Sequence, residues 1–219
     1  MPRFFITLSY NGKNYVGWQV QPNGTGVQQV VQESLSVILR GEMEITGAGR
    51  TDAGVHARRM IAHFDWEGNP FSETDLVRKL NNFLPRDIAI QEIRPVIADA
   101  HARFSALSRT YSYHLTTQKD PFQHELTYRI PFSPDMDRMN RLCEVLMEYD
   151  DFTSFSKLHT DAKTNICRIA YAGWEKSGEH FTFTITADRF LRNMVRAITG
   201  TLLEAGRGRL DERGFRRII

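Results

Sequence analysis

Apolar spacing along this chain switches between a period of two and a period near 3.6 in a fixed order, then runs through that order again. A repeat of this kind restricts the fold to a mixture of strands and helices built twice. In residues 3–10, Phe4, Ile6, Leu8 and Tyr10 fall on one side and Arg3, Phe5, Thr7 and Ser9 on the other, which is strand alternation. Asn11-Gly12 supplies a turn. Thr25 and Gln28 form a candidate capping box before Val27, Val30, Val31, Leu35 and Ile38, whose spacing predicts a helix over 26–39. Strands are expected at 42–48 and 56–65. Ser72 with Asp75 caps a second helix carrying Leu76, Val77 and Leu80, Pro85 ends it, and Ile88 to Ile93 is the next strand. The order is β-α-β-β-α-β, a ferredoxin-like unit.

The second half follows suit. Tyr111, Tyr113 and Leu115 alternate in a strand, and Met139, Leu142, Val145, Leu146 and Tyr149 line a helix. A strand near 164–174 pairs with one carrying Phe181, Phe183, Ile185 and Ala187. Leu191, Met194, Val195, Ile198 and Leu202 mark the buried face of a last long helix, with Gly206 just past its end as a C-cap. The expected fold is therefore α/β (α+β), two ferredoxin-like halves over 1–105 and 106–219 with mainly antiparallel sheet. Asp211 is a good N-cap, and Phe215, Ile218 and Ile219 keep helical phase to the last residue. A further helix and strand are expected to follow, without which these three residues would lose their cover.

With 41% hydrophobic residues, 219 residues suffice for a sizeable core. No stretch reaches transmembrane length and the alternating start is too short for a signal peptide, so the expected location is cytoplasmic. Cys143 and Cys167 form no CxxC pair and are expected to be reduced core residues. The seven histidines show no zinc spacing, so no metal is expected. Net charge is only +2, yet residues 189–219 hold eight arginines against three carboxylates. Arginine suits phosphate, although such a run is more often a solvated helix face.

The segment Gly47-Ala48-Gly49-Arg50-Thr51-Asp52-Ala53-Gly54-Val55-His56-Ala57 places one carboxylate among three glycines. Such a loop can turn sharply and let another molecule approach its backbone. It is no phosphate-cradling P-loop, because Val55 and His56 stand where Lys and Ser/Thr would have to follow Gly54. A dinucleotide fingerprint would need glycine where Asp52 stands. An isolated Asp-x-Gly would be read only as a turn.

The whole undecapeptide resembles the central motif of the tRNA pseudouridine synthase A family, and the likeness continues in order along the chain. Tyr10-Asn11-Gly12 with Tyr15, Gly17-Trp18-Gln19 and Val27-Gln28 is similar to the family's amino-terminal signature, with Asn11 where aspartate is usual. Leu84 to Ile88, His101 to Ala106, Arg109 to Tyr113, Asp151 to Phe155, and Phe190-Leu191 with Met194-Val195-Arg196 follow. Arg58 to Met60 depart from the Gly and Gln usual there.

The resemblance implies two halves flanking a cleft and isomerisation of uridine to pseudouridine at positions 38, 39 and 40 of the tRNA anticodon stem-loop, by a homodimer whose chains share one tRNA. Breaking the bond from ribose C1′ to N1, turning the base and joining C1′ to C5 involves no net redox or group transfer, so no cofactor is expected. The resemblance makes Asp52 the nucleophile. A buried carboxylate would need a cation within about 4–6 Å to stay charged, and the resemblance offers Arg196. It assigns Arg50 to holding the target nucleotide out of the stack and Tyr111 to stacking on the flipped uracil. Tyr113 is then a packing partner, although an aromatic pair at that spacing is usually core. Arg58 and Arg103 are expected to contact phosphates, which position RNA without reading its sequence. The rival readings are a relative acting on another RNA and a catalytically silent RNA-binding module.

Overall fold

The structure, a computed structural model, describes residues 1–157 and 164–219. The chain divides into two compact units, Met1–Ala106 and Leu107–Ile219.

The first unit runs β1 (Arg3–Tyr10), α1 (Val27–Leu39), β2 (Thr46–Gly47), β3 (Ala57–Asp65), α2 (Glu73–Phe83) and β4 (Ile88–Val96). Its sheet order is β2-β3-β1-β4 with every neighbour antiparallel, the order of a split β-α-β unit made twice. The alternation in β1 does what it promised: Ile6 and Leu8 are fully buried and Tyr10 nearly so, in one cluster with Val31 and Leu35 of α1 and Leu76 and Leu80 of α2. Each such side chain contributes about 1.5–3 kcal/mol on burial.

Two local readings need correction. The N-cap of α1 is Gly26 and no side chain caps it. Gln28 is used elsewhere: its amide donates to the Ile45 carbonyl at 2.8 Å and its Oε1 accepts from the Val20 N–H at 3.3 Å. One and two turns on, Gln32 Oε1 accepts from the Ile45 N–H and Ser36 Oγ from the Met43 N–H. A row of polar side chains on α1 thus bonds the backbone of 43–45, and of the expected strand it is residues 46–48 that bond to β3. Ser72, by contrast, does cap α2, accepting from the Asp75 N–H.

The second unit runs β5 (Arg109–Thr116), β6 (Tyr128–Arg129), α3 (Met136–Leu146), β7 (Ile169–Ser177), β8 (His180–Ala187), α4 (Met194–Gly206) and α5 (Glu212–Ile218). Its order is β6-β5-β8-β7, so the two-residue β6, parallel to β5, takes the place that β4 holds beside β1. β7 starts later than the apolar pattern suggests, because the Arg168 N–H is bonded to the Asp188 carboxylate and Cys167 N–H to the Asp150 carbonyl. Gly206 is the last helical residue of α4 rather than its cap. A Cβ there would lie 2.7 Å from Met139 Sδ, so close packing on α3 accounts for the glycine, and Gly208 supplies the left-handed turn with φ +80°. Asp211 caps α5. Phe215 does not lack cover: it is fully buried in the unit's core with Met139, Leu142 and Leu202, while Ile219 packs partly and Ile218 is exposed. Cys143 and Cys167 are buried and unbridged, and burial pushes their thiols up to about 12 and about 11.

One device recurs in both units. Asn81 of α2 donates to the Ile90 carbonyl at 2.8 Å and accepts from the Ile90 N–H at 2.7 Å, and Asn140 of α3 does the same for Trp174 at 3.2 and 2.8 Å. Ile90 and Trp174 lie on the edge strands β4 and β7, where among the described residues no further strand takes these groups. Asn81→Ala would leave both Ile90 groups without a partner. We expect it to lower stability by about 1–3 kcal/mol in urea unfolding.

Candidate active site

Asp52 lies exposed in the connection between β2 and β3, where the Val55 N–H bonds to the Asp52 carbonyl at 3.2 Å to close a tight turn. That connection does not hold itself in place. The Trp18 N–H donates to the Thr51 carbonyl at 3.2 Å, the Gly54 N–H to the Tyr15 carbonyl at 3.3 Å, and the Gly12 N–H to His56 Nδ1 at 3.0 Å. Tyr10 Oη and Thr51 Oγ1 are 2.9 Å apart. The segment following β1 is therefore a clamp along the Asp52 loop, grasping it immediately before and two residues after the carboxylate.

The clamp requires backbone to touch backbone. A Cβ on Gly12 would meet the Val55 carbonyl oxygen at 2.0 Å, and one on Gly17, where φ is +105°, would meet that of Thr51 at 2.2 Å. No side chain fits in either place. Asn11 keeps the turn expected of it: its Oδ1 accepts from the Lys13 N–H and so caps the 3-10 turn Gly12–Asn14. Behind the clamp, Asp87 accepts from the Tyr15 hydroxyl at 2.7 Å through its side chain and from the Asn11 N–H at 2.8 Å through its carbonyl. Burial, with the Asp87 carboxylate beside it, pushes the Tyr15 hydroxyl well above the ordinary tyrosine range, so it remains a donor. The motif residues Gly12, Tyr15, Gly17, Trp18, His56 and Asp87 thus act as supports, a role the sequence reading did not assign. The available signal was glycine at positions 12 and 17, where an aromatic-rich segment with ordinary turns would not demand both.

The other expected site residues divide between the units. In the first, Arg50, Arg58, Arg59 and Arg103 are all exposed. The Arg58 carbonyl accepts from Gln91, and the Arg103 guanidinium lies 5.7 Å from the centre of the Phe104 ring. In the second, Arg196 is the third residue of α4, whose N-cap Asn193 has φ +69°. Arg196 lines a pocket of about 340 Å³ with Tyr113, Tyr128, Phe132, Thr199 and Gly200. Tyr111 and Tyr113 both pack partly on the unit's core, and Tyr111 meets Phe190 edge-on at 5.1 Å. Much of the carboxy-terminal arginine run is engaged within the protein: Arg207 and Arg209 with Glu204, and Arg216 with Glu148 and Glu212. The hydrogen bond from Arg216 holds the Glu148 carboxyl below its usual range. Among the described residues no three His, Cys, Asp or Glu side chains gather as a metal site, and no helix is long and apolar enough to cross a membrane.

Each unit sets helices against a four-stranded sheet, and the first presents a clamped and exposed aspartate. The model of the tRNA pseudouridine synthase family matches residues 6–105 and 149–219, and the chain belongs to that family. It is 61% identical over 219 residues to the tRNA pseudouridine synthase A of Parabacteroides distasonis, covering 100% of this chain and 87% of that protein. Its identity to the enzyme of the same name from Bacteroides thetaiotaomicron is 57% over 222 residues, covering 100% and 82%. For Chlorobaculum tepidum the identity is 38% over 215 residues, covering 98% and 87%.

Because Gly17 leaves no room beside Thr51, Gly17→Ala should displace the residue next to Asp52. We expect at least a tenfold loss in kcat for modification of tRNA, with KM changing less, in steady-state assays of a variant whose circular dichroism matches the wild type.

Proposed function

We propose that this protein converts uridine to pseudouridine at positions 38, 39 and 40 of the tRNA anticodon stem-loop, with Asp52 as nucleophile. Membership of the family supports the coarser part of the reading, isomerisation of uridine in tRNA. The observation that carries the assignment to Asp52 is the clamp: backbone bonds from Gly12, Tyr15 and Trp18 converge on a loop whose one carboxylate is exposed. Fixing that group in advance lowers the entropy that must be lost on reaching the transition state. A carboxylate can attack the sugar or the ring and leave again, so the cycle closes without a cofactor.

Around it we assign Arg196 as the cation facing the nucleophile, Arg50 as the residue that holds the target nucleotide out of the stack, and Tyr111 as the ring on which the uracil stacks. Arg58 and Arg103 contact phosphates. Two copies of the chain are proposed to share one tRNA. Exposure of Arg50, Arg58 and Arg103 agrees with contact to a large anionic partner.

Asp52→Asn preserves size and removes the attacking charge. Pseudouridine formation should fall to background while tRNA binding survives; turnover at even a tenth of the wild-type rate would exclude Asp52 as nucleophile. Mapping pseudouridine in tRNA from cells lacking the protein tests the positions, since loss outside the anticodon arm would point to another target.

Affinity for tRNA should also fall steeply with potassium chloride, because each arginine on a phosphate displaces a counterion. Substituting Arg58 should reduce the slope of log affinity against log salt by about one, read by filter binding. Substituting Arg216, which is tied to Glu148 and Glu212, should leave that slope as it was.

A further inference from the structure

Four rings form a column through the first unit, from the sheet to the surface. Phe5 of β1 lies 6.4 Å from His63 of β3, His63 lies 4.6 Å from His101, and His101 lies 4.3 Å from Phe104, centre to centre. The column begins at the half-buried Phe5, passes through His63, which is only 7% exposed, and ends in a phenylalanine that is 76% exposed.

The turn that carries the last ring is tied by hydrogen bonds. His101 Nδ1 accepts from the N–H groups of Arg103 and Phe104 at 3.1 and 3.3 Å, which wraps the turn around the imidazole. The same residue bonds Ser105 twice, its N–H to Ser105 Oγ and its carbonyl to the Ser105 N–H. His63 Nδ1 accepts from the Ala102 N–H at 3.2 Å, and Arg3, paired with both oxygens of Asp65, donates to the Ala100 carbonyl at 3.0 Å. Both imidazoles therefore serve as acceptors, and neither turns away from its neighbour. Phe122 is more exposed still, at 92%, but among the described residues no ring backs it. Exposure alone would be ordinary surface. A largely exposed ring packed at a 36° tilt on His101, on a turn tied by six hydrogen bonds to itself and to the sheet, is a platform.

We propose that Phe104 is a stacking platform for an unpaired base of the RNA substrate, with the Arg103 guanidinium, which lies over the ring at 5.7 Å, engaging the same base or its phosphate. The chemistry fits a nucleobase better than a protein side chain, because a flat π-face and a planar cation occur together. Every base has a π-face, so the platform adds affinity without choosing a sequence. This inference rests on the tRNA-modifying reading given above.

The test compares Phe104→Ala, Phe104→Trp and wild type in binding and turnover of unmodified tRNA. Phe104→Ala should raise both Kd and KM roughly tenfold, the range of one stacked base, with the larger part of the kinetic effect in KM. Its salt slope should match the wild type, because no phosphate contact is lost. Phe104→Trp should restore affinity, and its added indole emission should be quenched on binding tRNA. Equal wild-type and Phe104→Ala affinities would remove the platform and leave the enzyme's function intact; a wild type that neither binds nor modifies tRNA would remove the functional reading itself. A change in oligomer mass with Phe104→Ala, and indole emission indifferent to tRNA, would assign the ring to a protein contact and overturn the proposal.

Discussion

The hydrogen bond from the Trp18 N–H to the Thr51 carbonyl joins two segments that lie largely outside regular secondary structure. One is the glycine-rich loop with the exposed carboxylate, and the other is the irregular run between β1 and α1. With Gly12 and Gly17 letting the two backbones touch, the contacts between them restrict the conformations open to the loop. Everything assigned to Asp52 depends on that restriction, because a nucleophile displaced by an ångström forfeits much of the advantage of being held at all.

Around this contact the two units solve one architectural problem with different parts. Each pairs its first strand with a central strand made later in the unit: β1 with β3, and β5 with β8. Each fastens an outer strand to a helix with an asparagine acting as a substitute backbone. Where the first unit closes the far side of its central strand with the nine residues of β4, the second has β6, two residues long and parallel. The helix α1 extends the same principle in the first unit, using Gln28, Gln32 and Ser36 to bond backbone that no strand reaches.

These substitutions explain what was legible in the sequence. The alternation of Ile6, Leu8 and Tyr10 marked β1 because burial of one face leaves a period of two. Met43 and Ile45 left the same trace without being strand, since alternation reports burial and not which group satisfies the backbone. β6 was invisible for a related reason: Tyr128 and Arg129 are both exposed, so their pairing imposes no apolar pattern. Gly206 read as a helix end because glycine usually is one, whereas Met139, distant in sequence, set the requirement. At the candidate site, Asp52 stood out through its neighbours, but the supporting roles of Gly12, Tyr15 and Asp87 depend on contacts spanning 44 and 72 residues. No local spacing rule contains them.

The position of β1 has a consequence for the order in which the protein is made. The strand precedes both of its strand partners in the sequence and sits between β3 and β4, whose partners for Arg3 are Asp65 and Val96. Until β4 has been synthesised, β1 can have only one strand neighbour, and a sheet built from such distant pairings forms slowly. The clamp on the Asp52 loop also draws on Asp87, so the carboxylate cannot be fixed while β4 is still within the exit tunnel. The nascent first unit would therefore expose a glycine-rich loop and one unpaired edge for the whole interval, the stretch of synthesis in which a chaperone or a neighbouring chain has the most to bind.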